Sequence, residues 1–426
     1  MRKLFIFLAA VTTAQTIVAQ RLPDHVYMAD IRTPKLFQQN NQQSMPLIGL
    51  NTGDQLELHF DDMCGYPRNY YYTFVLCNAD WTPADVNVFD YIKGFTQNRL
   101  NQYRVSSIAA TKYVHYQALL PERDCVPIKS GNYLLKVFLD SDTSKLAFTK
   151  RMMVAENKVS IVAQVQQPFD NDLLRTHQKV QMSVNTQQLN ILSPQQTKVV
   201  ILQNNRWDDA VKDIQPTFIR NNIMEYNGEQ DCIFPAGKEY RFADLESFRF
   251  QSERVDRVDK TKEPNDIFIK PDPERTNFRY IFFKDMDGWN QIATTESVNP
   301  WWQTDYAYVH FTFAPTNNQP FAGKSVYILG ELTGNQVGDT SRMIYDAAKG
   351  VYTKTLFLKQ GYYSYTYVTK DNRNPNARSE ASITDGNYWE TENEYEIFFY
   401  YRSFSSRHDE LIGVSTINSR NGRNGY

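Results

Sequence analysis

Alternation of apolar and polar residues with a period of two runs through most of the chain, and it constrains the fold more than any other feature. Leu56, Leu58 and Phe60 alternate with Glu57 and His59, and Val180, Met182 and Val184 with Gln181, Ser183 and Asn185. Ala307, Val309, Phe311 and Phe313 alternate in the same way with Tyr308, His310 and Thr312. Successive side chains of a strand point to opposite faces, so these runs are half-buried strands. Aromatic residues make up 14% of the chain, and together with the β-branched residues they suit pleated, packed surfaces. Pro and Gly recur between the runs as turn signals, the spacing of antiparallel sandwiches. The expected fold is all-β, with tandem immunoglobulin-like β-sandwich domains and few short helices. The best helical signal is Thr82-Pro83-Ala84-Asp85, where Thr82 could cap and Pro83 fits a first turn. It predicts about three turns at most, packed on a sandwich.

The 426 residues allow roughly three domains. Residues 1–19 have a basic start, Arg2 and Lys3, then the apolar run 4–11 and a small residue, Ala19, the pattern of a secretory signal peptide cut near Ala19. An N-terminal sandwich is expected over 26–154, a middle one over 158–300 and a C-terminal one over 304–411, followed by a polar tail at 415–426. Within the middle unit, residues 252–273 are rich in charge and proline and read as an exposed loop. The run 280–283 reads as one of that unit's apolar strands.

After the signal, no apolar run reaches the roughly 20 residues of a spanning helix. A net charge of -2 gives no broad basic field for nucleic acid or anionic lipid. Four cysteines, Cys64, Cys77, Cys125 and Cys232, are too few for a disulfide scaffold of this length. They permit three full pairings or none. Cys64 with Cys125, both in turn-like segments of one domain, is the pairing to test first.

Sites for chemistry are sparse. The six histidines, at 25, 59, 115, 177, 310 and 408, are scattered without zinc-ligand spacing, and no metal or cofactor is expected. Gly323-Lys324-Ser325 ends like a phosphate loop, but Asn318 stands where the first glycine belongs. Asp285-Met286-Asp287-Gly288 opens like a calcium loop, with Glu296 at the twelfth position, yet Trp289, Gln291 and Ala293 supply poor ligands, and a tight turn is the favoured reading. Asp61 and Asp62 are adjacent on a strand, so they face opposite ways and cannot share a substrate. Neither a nucleophile elbow nor an evident triad is present, and no small-molecule substrate is expected; a dispersed hydrolase site is the least favoured reading.

The aromatic surplus is the remaining lead. Tyr70, Tyr71 and Tyr72 are consecutive, so at least one faces outward, and Trp301 with Trp302 and Tyr400 with Tyr401 pose the same problem. Exposed aromatics flanked by polar residues mark interfaces and glycan grooves. Tyr70, Tyr72, Trp301, Trp302, Tyr400 and Tyr401 are the candidate partner-binding residues, against core packing as the alternative; Trp81 and Trp207 are expected in the core. The strand order of the third unit, with the aromatic run 361–367, is loosely similar to glycan-binding modules, which leaves an exported carbohydrate-binding protein as the alternative function.

Several segments, taken in order, carry a resemblance over nearly the whole chain. Leu76-Cys77-Asn78-Ala79-Asp80-Trp81 and Phe89-Asp90-Tyr91-Ile92-Lys93-Gly94-Phe95 resemble the signature of the plug protein of the type IX secretion system. Tyr113-Val114-His115-Tyr116, Gln203-Asn204-Asn205-Arg206-Trp207, Lys238-Glu239-Tyr240-Arg241, Thr391-Glu392-Asn393-Glu394-Tyr395 and Arg407-His408-Asp409-Glu410 agree in order. Leu76 stands where a histidine is expected, and His408 where an aromatic is. The resemblance implies a non-enzymatic periplasmic subunit that reversibly seals the inner mouth of a large outer-membrane translocon barrel.

Overall fold

The computed structural model describes residues 23–189, 191, 193–374 and 377–421. The expected signal peptide lies outside the described residues, as does 422–426 of the expected tail. The described residues form strands and three short 3-10 turns, with no α-helix among them. In place of a helix after Thr82 there is one 3-10 turn, Val88–Asp90, capped by Asn87. Asp80 Oδ1 instead accepts from the backbone N–H of Thr82 at 3.0 Å and from its hydroxyl at 2.6 Å, tying the segment into a turn.

The first sandwich packs the sheet of Ile31–Gln38, Leu56–Asp62, Val114–Leu120 and Gln102–Val105 on the sheet of Leu47–Gly49, Leu146–Ala155, Gly131–Leu139, Tyr70–Cys77 and Asn98–Arg99. Leu56, Leu58 and Phe60 enter its core, as the alternation requires. The opposite face of that strand is also covered, because another sandwich lies on it: His59 and Asp61 are buried.

The other two sandwiches divide the chain differently from the expected boundaries at 158–300 and 304–411. Strand Thr197–Gln203 pairs with Glu394–Tyr401, which pairs with Glu410–Asn418. The middle sandwich is therefore closed by the last strands of the chain, opposite the sheet built on Ser160–Gln166 and His177–Asn185. The third sandwich is inserted between the two parts of the middle one. Its sheets are built on Tyr362–Asp371, with Arg241–Asp244 and Lys324–Leu329, and on Tyr306–Ala314, with Asp266–Ile269 and Val351–Lys359. Ala307, Val309, Phe311 and Phe313 form its core with Tyr363, Tyr365 and Tyr367.

Three smaller expectations are corrected by the same topology. Residues 252–273 are not a free loop: Val255–Asp259 and Asp266–Ile269 form the sheet edge, with Val255, Ile267 and Ile269 in the core. Residues 415–418 are not tail but the end of strand Glu410–Asn418. The run 280–283 is not a strand; Ile281 is 72% exposed and Phe282 and Phe283 are also exposed.

Candidate functional site at the interdomain joints

The polar and aromatic residues with the most demanding environments lie where the sandwiches meet. Between the first and third, two cross-strand pairs face each other: Asp61 opposite His115, and Tyr306 opposite Lys359. Asp61 Oδ1 accepts from His115 Nδ1 at 2.7 Å, while Oδ2 accepts from the Tyr306 hydroxyl at 2.5 Å and from the Lys359 ammonium. Burial raises the Asp61 carboxyl, but Lys359 and His115 outweigh it, and the group is held below its ordinary range. Lys359 also donates to the carbonyl of Trp301 at 2.5 Å. Burial, opposed by Asp61, lowers His115 to about 4, so its ring is neutral at neutral pH. The ring continues into a chain: His115 Nε2 lies 3.0 Å from His59 Nδ1, and His59 Nε2 lies 3.2 Å from Glu57. Trp301 stacks on His59 with centroids 3.8 Å apart. Asp305 accepts from the backbone N–H groups of Ala110 and Thr111, both at 2.9 Å, and Lys35 reaches across to Glu331 at 2.7 Å. Asp62 points the other way, to Arg68 at 2.6 Å and the Tyr70 hydroxyl at 2.9 Å, as adjacent strand residues must.

Between the first and middle sandwiches, Trp81 and Trp207 meet edge to face at 4.9 Å. The Arg151 guanidinium lies 5.0 Å from the Trp81 ring and 5.2 Å from that of Trp207. Beside them, the Tyr400 hydroxyl donates to Asn132 at 2.9 Å. Asp409 is nearly fully buried and accepts from the Ala79 N–H at 3.0 Å, Lys198 at 3.0 Å and Arg402 at 2.7 Å. Between the middle and third sandwiches, Arg206 donates to Ser379 Oγ at 2.7 Å and Arg378 pairs with Asp209 at 2.6 Å.

These joints decide the fate of the aromatic candidates. Tyr70 and Tyr72 are core residues, with hydroxyls on Asp62 and Glu122, and Tyr71 between them is the one turned outward. Tyr400 is buried in the first joint with the middle sandwich, and Tyr401 packs half-buried on the middle core. Trp301 and Trp302 are half-buried against the first sandwich; the Trp302 carbonyl accepts from Ser107 at 2.9 Å. Five of the six therefore serve the molecule's own interior or joints, and Tyr401 is only partly accessible. Trp81 is buried as expected and Trp207 half-buried. All four cysteines are free thiols, which removes the Cys64–Cys125 bridge: Cys125 is enclosed in the first core, whereas Cys64 lies in a turn with its thiol 3.1 Å from Asp30. Tyr363, Tyr365 and Tyr367 of the aromatic run 361–367 are buried.

Composition hid one exposed feature. In Phe89–Phe95, Tyr91 and Ile92 root in the core while Phe89 is 72% and Phe95 67% exposed. Gly94 has φ +96°, and a Cβ there would meet the Asp124 carbonyl oxygen at 2.3 Å, so only glycine lets Ile92–Gly94 pair with Cys125–Pro127. The signal was the sequence FDYIKGF itself, with aromatics at both ends of a short apolar centre.

Fold and joints together define a rigid, multi-sandwich, all-β protein whose buried polar groups are spent on holding its parts in register. Residues 31–156 match the family described as type 9 secretion system plug protein 1st domain. A crystal structure of a hypothetical protein from Parabacteroides merdae is similar over 93% of this chain and 99% of that one, with 32% identity and a TM-score of 0.89. Curated proteins include no significant match. The chain belongs to the type 9 secretion system plug protein family. No helix among the described residues is long and apolar enough to cross a membrane.

Proposed function

We propose that this protein is a periplasmic plug subunit that seats on the periplasmic opening of the large outer-membrane translocon barrel of the type IX secretion system and blocks it reversibly. Family membership supports the role, and the observation that carries the mechanism is the Phe89–Phe95 knob on the family-matched sandwich. Two exposed phenylalanines on a rooted, rigid base are suited to fill pockets on a partner, with polar surroundings that let the contact be undone. A wide mouth needs a broad contact, on the order of 1,600 Å² or more, and three sandwiches locked by buried joints present such a surface without reshaping. The chemistry is adhesion and occlusion, not turnover. Affinity purification of the intact protein from outer-membrane extracts is expected to retain a very large barrel. The Phe89→Glu/Phe95→Glu double variant, which replaces no core residue, is expected to lose it by tenfold or more. Equal recovery of the barrel by both proteins would remove the knob from the interface, and recovery of no barrel by the wild type would remove the plug reading. A glycan-binding alternative would have to act through residues other than the buried Tyr363, Tyr365 and Tyr367.

A further inference from the structure

The Asp285-Met286-Asp287-Gly288 turn, set aside in the sequence because Trp289, Gln291 and Ala293 supply poor ligands between it and Glu296, is joined by a carboxylate from far along the chain. Glu296 is engaged elsewhere, accepting from Ser247 Oγ at 2.5 Å and from the Arg249 N–H at 2.8 Å. Asp285, Asp287 and Glu392 instead each bring one carboxylate oxygen to within 4.8 Å of the others. A Ca²⁺ ion bound at about 2.3–2.6 Å from each ligand spans oxygens up to about 5 Å apart, and hard oxygen ligands are its preference.

Acidic residues gather on many surfaces without an ion, so the second observation matters more. Glu239 and Glu396, each only 2% exposed, stand beside this cluster: Glu239 Oε1 accepts from the backbone N–H of Glu392 at 3.3 Å, and Glu396 lies four residues after Glu392 on the strand that follows it. Glu396 Oε1, Glu239 Oε2 and Asp287 Oδ1 are buried with no hydrogen-bond partner among the described residues. Three orphaned carboxylate oxygens in one joint are costly unless a positive group faces them. Two neighbouring cations are committed: Arg206 is held by Asp208 at 3.1 Å and Arg275 by Asp385 at 3.0 Å. Gly288, at φ +83°, brings this turn against the Tyr240 ring.

We propose that Asp285, Asp287 and Glu392, with Glu396 behind them, bind one Ca²⁺ ion at the joint between the middle and third sandwiches. Glu239 precedes strand Arg241–Asp244 and Glu392 precedes strand Glu394–Tyr401, so the site sits on both of the connections that carry the inserted sandwich. Water completes the coordination, and the ion clamps the two connections to the 285–287 turn.

The test uses the full chain, stripped with a chelator and titrated with Ca²⁺ over about 10⁻⁵–10⁻² M. The melting temperature is expected to rise saturably by a few degrees. Tb³⁺ is expected to luminesce when Trp289 and Tyr240 are excited, and Ca²⁺ to quench that signal by displacement. Asp287→Asn, and Glu392→Gln should the first variant fold poorly, are expected to abolish both responses, while Glu296→Gln keeps them. A wild type whose stability follows pH but not Ca²⁺, or responses that persist in both Asp287→Asn and Glu392→Gln, would overturn the proposal. The outcome is independent of whether the protein plugs a barrel.

Discussion

Asp61 is the residue on which the joint between the first and third sandwiches turns, because its charge has been taken out of water and its compensation comes from the other sandwich. Removing one partner of a buried ion pair leaves the other uncompensated, which costs about 3–5 kcal/mol. Lys359→Met is therefore expected to lower unfolding stability by that amount in a denaturant titration, and Asp61→Asn in the same chain to restore part of it. His115 adds a pH dependence whose sign follows from burial. The unfolded ring takes up its proton near 6.5 and the folded one near 4, so between these values the unfolded state holds more protons and stability declines as pH falls. The loss across this window is about 3 kcal/mol, at about 1.4 kcal/mol per pH unit, and Asp61, whose carboxyl is depressed by Lys359 and His115, extends the decline at still lower pH. Melting curves taken from neutral pH down to about 4 check this, and a flat profile would contradict the buried neutral imidazole.

At the scale of strands, alternation made the cores legible and left the joints illegible. Leu56, Leu58 and Phe60 announce a core face because their neighbours are polar, but two of those neighbours, His59 and Asp61, look solvated until a second sandwich covers them. Tyr70, Tyr72 and Tyr400 misled for the converse reason: each buries its ring and finds one polar partner for its hydroxyl, which composition cannot distinguish from an exposed aromatic. Neighbouring strands in sequence usually pair in space, so Glu394–Tyr401 read as the end of the third unit. Its actual partner is Thr197–Gln203, nearly two hundred residues earlier. Ending the chain before residue 394 is thus expected to expose the middle core while sparing the first. Hydrogen exchange should show lost protection over 160–235 and retained protection over 31–155; uniform retention would mean that the last strands are dispensable.

For the whole molecule, the segments that carry the family resemblance fall mainly at the joints and at the knob. Ala79 and Trp81 meet Asp409 and Trp207, Arg206 meets Ser379, and Glu239 and Glu392 stand on the two connections. They were readable as a signature but not as a mechanism, since their partners lie in other sandwiches. A body stiffened in this way suits a seal, because an occluding part that flexed would admit solute at its rim. Loss of the protein from the cell is accordingly expected to raise outer-membrane uptake of large dyes, with Phe89→Glu/Phe95→Glu producing the same leak at unchanged protein level; unchanged uptake in both would argue against occlusion.

The late pairing of Thr197–Gln203 with Glu394–Tyr401 also orders the assembly of the chain in time. The first sandwich has all its strands as soon as residue 155 is made, and the inserted one can close on itself, but the second must wait with an open, apolar sheet until Glu394–Tyr401 and Glu410–Asn418 arrive. A copy cut short before residue 394 keeps that sticky edge uncovered, so limited proteolysis is expected to remove it faster than the longer chain.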